Sequence, residues 1–310
     1  MADFLLSIAP IFLMIVLGHL LRRGGIPNTE FWNLNDKLVY WVLMPSLLFY
    51  KTSTLEISLD FIGTYAIVIV GAFAAAAVFG LVSARLCGLS APVASSVLQG
   101  SARHNTFIAL AIAERIYGAD GLTLAALVTA ILIPVTNLSL VPVMVTMLRP
   151  EGETGVLRPI LRDLGRNPLL ISVGLGFAFN LLGVGVVPVL HETTAIIGGA
   201  ALPIVLMCVG ANIRLRAMQT STVPVILSSL GKMVVFPVMI VILSTALGLS
   251  ELEMMVALLF GAAPTASAAY TLARQMGGDA PLMAAIVTIQ TALSFLTLPV
   301  TVRLAEMLVG

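Results

Sequence analysis

The feature that most restricts this chain is a series of long apolar runs, separated by short polar turns, that continues along almost its whole length. A run of about 20 mostly apolar residues is long enough to cross the hydrocarbon core of a bilayer as a helix. At that depth the backbone must satisfy its own hydrogen bonds, which leaves helices or a closed barrel. Ten such runs are present, at 4–21, 37–51, 61–84, 91–114, 121–147, 169–188, 194–213, 222–248, 252–273 and 281–305. Only 10% of the residues are charged and 59% are hydrophobic, whereas soluble domains carry about 25% charged residues. The expected fold class is therefore an all-α polytopic membrane protein with ten transmembrane helices. The N-terminal run has no basic leader and no A-x-A pattern, and Arg22-Arg23 follow it. It reads as a first span rather than a signal peptide.

Basic residues set the expected orientation. Arg22, Arg23, Lys37, Arg85, Arg149, Arg158, Arg162, Arg166, Arg214, Arg216 and Arg274 follow the odd-numbered spans, while only Lys51, Arg115 and Arg303 fall on the other side. This bias places both termini outside and the polar linker at 148–167 in the cytoplasm of a multi-pass plasma (inner) membrane protein.

The two halves match. Asp120 and Thr129 in "YGADGLTLAALVTAI" align with Asp279 and Thr288 in "MGGDAPLMAAIVTIQ". Pro45 aligns with Pro203, and Pro10 with Pro168, at nearly the same offset. The expected organisation is a five-span repeat over 1–150 and a second over 151–310. An odd number of spans per repeat inverts the second copy in the membrane. Inverted repeats are a plan of secondary transporters, whose sites lie near the midplane where interrupted helices meet.

The interruptions are legible. "GSARHNTFIALA" at 100–111 sets Arg103, His104, Asn105 and Thr106 in the middle of the fourth span, and its repeat partner is "GAAPTASAAYTLA" at 261–273. Pro264 lacks an N–H and breaks the ninth span near Gly261–Pro264. A charge at mid-membrane is costly, about 2.5–3.5 kcal/mol on insertion scales, unless it faces a polar cavity. Half-helix N-termini at such breaks favour anions. The candidate substrate-binding residues are Arg103, His104, Asn105, Thr106, Pro264, Thr265 and Ser267, with Pro45, Ser46 and Pro203 from the second and seventh spans. Other readings stand beside this one. Arg103 can pin the crossover through carbonyls, His104 can be a packing residue, and Pro45 and Pro203 can be simple kinks. Lys232 in the eighth span can pair with a carbonyl in the core. Gln99, Gln290, Thr291 and Asn137 can be interhelical glue.

Absences narrow the function. All 15 acidic residues fall in loops or near span ends, which argues against an antiporter built on buried aspartates and for an electropositive site. Cys87 and Cys208 lie in apolar stretches and read as small buried side chains, with no metal set. "HETTA" at 191–195 lacks the second histidine of a zinc protease motif, and no G-x-S-x-G or P-loop appears. An enzyme and a nucleic-acid partner are not expected.

With "LVYWVLMPSLLF", "RHNTFIALAIAERIYG", "LGKMVVFPV" and "GAAPTASAAYTLARQMGGDAPLMAAIVTIQTALSFLTLPV" in hand, the chain resembles the auxin efflux carrier family, which includes plant PIN proteins and bacterial malonate or malate permeases. The resemblance covers nearly the whole chain. It implies a fold related to bile acid–sodium symporters, in which spans 1, 2, 6 and 7 form a scaffold and spans 3–5 and 8–10 a transport domain. It also implies crossing breaks in spans 4 and 9, an elevator motion, and a homodimer. Asn105-Thr106 and Pro264 match the family's motifs. Ala109-Leu110-Ala111 stands where the family has Gly-x-Pro, so a milder or displaced break is expected there, and Ala268 stands near a missing asparagine. The functional expectation is a secondary transporter of a small organic anion, a mono- or dicarboxylate, with no cofactor and with a proton or sodium as the coupling ion. His104 is the candidate proton carrier. The alternative is a membrane sensor that binds such a ligand without moving it.

Overall fold

The computed structural model describes residues 2–54, 59–148, 161–162, 165–213 and 222–309. Every regular element among them is helical. In chain order they are α1 (Ala2–Arg23), α2 (Thr29–Leu38), α3 (Met44–Ser53), α4 (Leu59–Leu86), α5 (Ala91–Ala102), α6 (Thr106–Leu148), α7 (Pro168–Leu181) and α8 (Pro188–Gly199), then α9 (Ala201–Ala211), α10 (Thr222–Leu230), α11 (Phe236–Leu247), α12 (Glu251–Ala262), α13 (Ala268–Met276) and α14 (Ala280–Val309). Most of the central linker lies outside the described residues.

Six stretches of described helix are long and apolar enough to cross a membrane: Phe4–Arg23, Ile62–Leu86, Ala91–Leu148, Pro188–Ala211, Thr222–Leu247 and Ala280–Met307. The surface is apolar, with Leu13, Leu20, Ile67, Val78, Ile242 and Leu296 exposed, while Gln99, Lys232 and Gln290 are fully buried. Apolar outside and polar inside is the arrangement that a lipid solvent selects. The chain is a multi-pass membrane protein.

Local chemistry sets where helices start, bend and stop. α2 and α3 are joined by a π-helical turn at Val39–Leu43, and α10 and α11 by another at Gly231–Val235. Each turn is followed by a proline, Pro45 or Pro237. A proline ring collides with the carbonyl four residues earlier, here that of Trp41 or Met233. Both carbonyls lie inside the widened turns, so the helix continues through the proline. Pro203 instead sits in the first turn of α9, where proline is tolerated because that N–H has no helical partner. The sixth apolar run stops earlier than its composition suggests. α7 ends at Leu181, and Gly183 and Gly185 take left-handed φ values of 62° and 70° before Pro188 opens α8. Gly118, at φ 63° and ψ −144°, kinks α6 between the runs read as spans four and five. Cys208 is buried as expected, but Cys87 is exposed, because α4 has already ended at Leu86.

Helix packing sorts into two groups. α1 runs along α9, and α3 along α7 and α8; α4 runs along α5 and α11, and α10 along α5. Gly18 and Gly210 let the α1 and α9 backbones touch: a Cβ on Gly18 would collide with the backbone of Met207, and one on Gly210 with the Ile15 carbonyl. Gly176 and Gly198 seat α7 and α8 against α3 in the same way. In the other group, a Cβ on Gly100 of α5 would stand 2.7 Å from Ser228 Cβ and 2.8 Å from Ile286 Cγ2. Among the described residues, no such glycine seat joins one group to the other. α6 touches both.

Candidate functional site

Two helix breaks meet inside the second group. α5 stops at Ala102, and Arg103 turns to extended backbone at φ −67° and ψ 143°. α6 restarts at Thr106. α12 stops at Ala262, Ala263 turns extended at φ −61° and ψ 143°, and α13 restarts at Ala268. The fourth run is thus fully interrupted without a proline at the break. Its support comes from across the crossing: the Asn105 N–H donates to the Pro264 carbonyl at 2.7 Å.

A buried glutamine holds the crossing. Gln290 Oε1 accepts from the Thr265 N–H at 3.0 Å and from the Thr265 hydroxyl at 2.7 Å. Gln290 Nε2 donates to the Gly100 carbonyl at 3.0 Å, and that carbonyl also lies 3.0 Å from Thr265 Oγ1. The carbonyl freed by the end of α5 is therefore satisfied from α14, as buried backbone groups must be. Asn105 caps α6, with Oδ1 accepting from the N–H groups of Phe107 (3.1 Å) and Ile108 (3.2 Å).

The structure divides the residues expected at the site. Asn105, Pro264 and Thr265 are buried in the crossing, and Thr106 and Ser267 begin its two outgoing helices at partial exposure. Arg103 does not turn to a carbonyl: its Nη2 donates to Asn137 Oδ1 at 2.9 Å, while Asn137 Nδ2 donates to the Ile133 carbonyl. His104 packs its ring on Phe260 at 5.6 Å between centroids, and its Nδ1 has no hydrogen-bond partner among the described residues. Pro45 and Ser46 belong to the α2–α3 helix, where Ser46 Oγ donates to the Val42 carbonyl. Pro203 is exposed. The histidine of "HETTA" is a buried packing residue, 3.1 Å from Ser53 Oγ and ringed by Phe49 and Phe179.

A cavity of about 410 Å³ opens beside the crossing. Ser267, Ala268, Tyr270 and Thr271 at the start of α13 line it, with Phe107 at the start of α6. α13 thus presents its N-terminal turn to it, while α6 contributes Phe107. Arg22, Asp36, Asn212 and Arg274 complete its polar wall, two cations to one carboxylate. Arg22 Nη1 donates to the Ala211 carbonyl at 2.8 Å and to Asn212 Oδ1 at 3.2 Å, and Asn212 Nδ2 donates to Asp36 at 3.0 Å. Sequence reasoning missed this wall. Arg22 and Arg274 count there only toward orientation, and Asp36 reads as a loop acid. The available signal was position: Arg22, Asn212 and Arg274 all end apolar runs on one expected side of the membrane.

An apolar exterior, interrupted helices braced by buried polar groups, and a polar cavity beside the crossing are features of a membrane transport protein. The chain belongs to the family described as membrane transport protein, the auxin efflux carrier group, whose family model matches residues 3–302. It is also similar to an uncharacterized transporter of Methanothermobacter thermautotrophicus, at 24% identity over 297 residues, covering 94% of this chain and 95% of that protein.

Proposed function

We propose that this protein is a secondary transporter that moves a small organic anion, a mono- or dicarboxylate, by alternating access. The observation that carries the reading is the cavity. It offers the N-terminal turn of α13 and two arginines against one aspartate, and a helix N-terminus with cations favours carboxylates. Its volume lies within the range of small-molecule sites, about 300–1,000 Å³. In this reading the chain crosses the membrane ten times in two inverted repeats, 1–150 and 151–310, in a plasma membrane with both termini outside. The cavity then opens to the cytoplasm, since Arg22 and Arg274 follow odd-numbered spans.

The two packing groups correspond to a scaffold and a moving transport domain, as an elevator mechanism requires. The separate glycine seats support that division, because a helix seated closely on a glycine resists sliding, and among the described residues no such seat bridges the two groups. Arg103 supplies positive charge at the crossover, Ser267 lines the cavity, Asn105, Thr106 and Thr265 are the polar groups of the crossing behind it, and His104 is the proton-coupling group. The protein works as a homodimer.

Malonate counterflow in proteoliposomes tests the reading. Wild type is expected to exchange malonate or a related carboxylate, and Arg103→Ala to lose most of that exchange. Binding of carboxylates without any counterflow would support a sensor instead, and Arg103→Ala uptake equal to wild type would remove Arg103 from the site.

A further inference from the structure

One charged group stands apart from the cavity. Lys232 is fully buried, in the π-helical turn between α10 and α11. Its Nζ donates to the Phe260 carbonyl at 3.0 Å and sits 4.2 Å from the centre of the Phe236 ring. No salt bridge joins it to a carboxylate among the described residues.

The carbonyl it holds is a particular one. The last regular bond of α12 runs from the Ala263 N–H to the Leu259 carbonyl. The next carbonyl, that of Phe260, would take the N–H of residue 264, but residue 264 is proline and has none. Phe260 O is thus an orphan acceptor at the negative end of a half-helix, buried near the crossing. Unwound carbonyls and half-helix C-termini of this kind are where transporters hold a sodium ion or a proton. The corresponding acceptor on α5, Gly100 O, is satisfied by a neutral group, the Gln290 amide. The arrangement is therefore lopsided, with a neutral donor on one half-helix end and a cation on the other.

We propose that Lys232 is a resident cation of the crossover, a tethered ammonium in the place where a transported sodium ion would otherwise bind the α12 carbonyls. Its attachment to the chain makes anion transport independent of sodium at this position. The orphan carbonyl of Phe260 and the ring face of Phe236 are the two groups that its Nζ meets. Lys232 is a positioning residue: it neutralises the end of α12 and fixes the break at Ala263, without touching the substrate cavity.

The proposal rests on the transporter reading, and its test separates the two. Purified wild type is melted in sodium, potassium and choline chloride at equal concentration, and malonate counterflow is followed in the same salts. One melting temperature and one rate across the three salts are expected. Lys232→Ala, which leaves a void at the carbonyl, is expected to melt lower in choline and to recover in sodium or ethylammonium chloride. Lys232→Met, which keeps the bulk without the charge, is expected to transport about ten-fold more slowly or worse and to ignore added cations. Specific stabilisation or stimulation of wild type by sodium overturns the proposal. So does Lys232→Met transport at the wild-type rate, or a Lys232→Ala protein that no cation stabilises. If Lys232→Ala does not fold, the wild-type salt series still decides. Melting needs no substrate, so failure to move malonate would count against the anion reading alone.

Discussion

Replacing Gln290 with leucine removes the clamp between the two breaks at nearly constant volume. Gln290 is fully buried and makes three hydrogen bonds, two accepted from Thr265 and one donated to Gly100. The Thr265 hydroxyl can re-aim to the Gly100 carbonyl, already 3.0 Å away, so neither of those groups is orphaned. The Thr265 N–H has no such substitute, and a buried donor left unsatisfied costs about 1–3 kcal/mol. Loss of the bond to Gly100 adds about 1 kcal/mol, and the leucine side chain returns part of it as apolar packing. The net loss is about 2 kcal/mol. Reversible denaturation in mixed micelles measures it, and the partner variant Thr265→Ala completes a double-mutant cycle. Coupling between contacting, hydrogen-bonded residues is expected at about 0.5–3 kcal/mol. A Gln290→Leu protein within about 0.5 kcal/mol of wild type, or strictly additive effects in the cycle, would refute the clamp.

Three further outcomes are expected. Gly210→Ala drives a methyl group into the Ile15 carbonyl and is expected to cost about 1–3 kcal/mol or more, read as a lower melting temperature. Asn105→Ala uncaps α6 and is expected to cost about 1 kcal/mol, with Asn105→Ser recovering most of it in the same unfolding assay. Arg274→Gln removes an exposed cation from the cavity wall and is expected to weaken malonate binding about five-fold at low salt and less at high salt, with no change in melting temperature.

The breaks were legible in the sequence because their causes are local. Pro264 announces one, and a run of four polar residues inside an apolar span announces the other. The roles of Gln290 and Lys232 were legible only as types: interhelical glue and a lysine seeking a carbonyl. Their partners, Gly100, Thr265 and Phe260, lie 25 to 190 residues away and are chosen by packing. Arg103 shows the limit most clearly. Its depth is set by spacing along a helix, but the direction of its guanidinium depends on Asn137, 34 residues on. The cavity wall was missed for a related reason. Arg22, Asn212 and Arg274 come from the ends of three separate helices, and only the fold brings them together.

The glycine seats between α1 and α9 have a mechanical meaning. Gly18 receives the backbone of Met207, and Gly210 the carbonyl of Ile15, so the two contacts point in opposite directions across one seam. They act as a pair of dowels. Sliding either helix by one residue would drive a side chain into a space that only a hydrogen atom fills. The seam therefore has high shear stiffness and can serve as a fixed rail. Sideways load from a moving neighbour would be borne along its whole length, and any displacement large enough to carry a solute must be taken up at softer boundaries, where side chains rather than backbones meet.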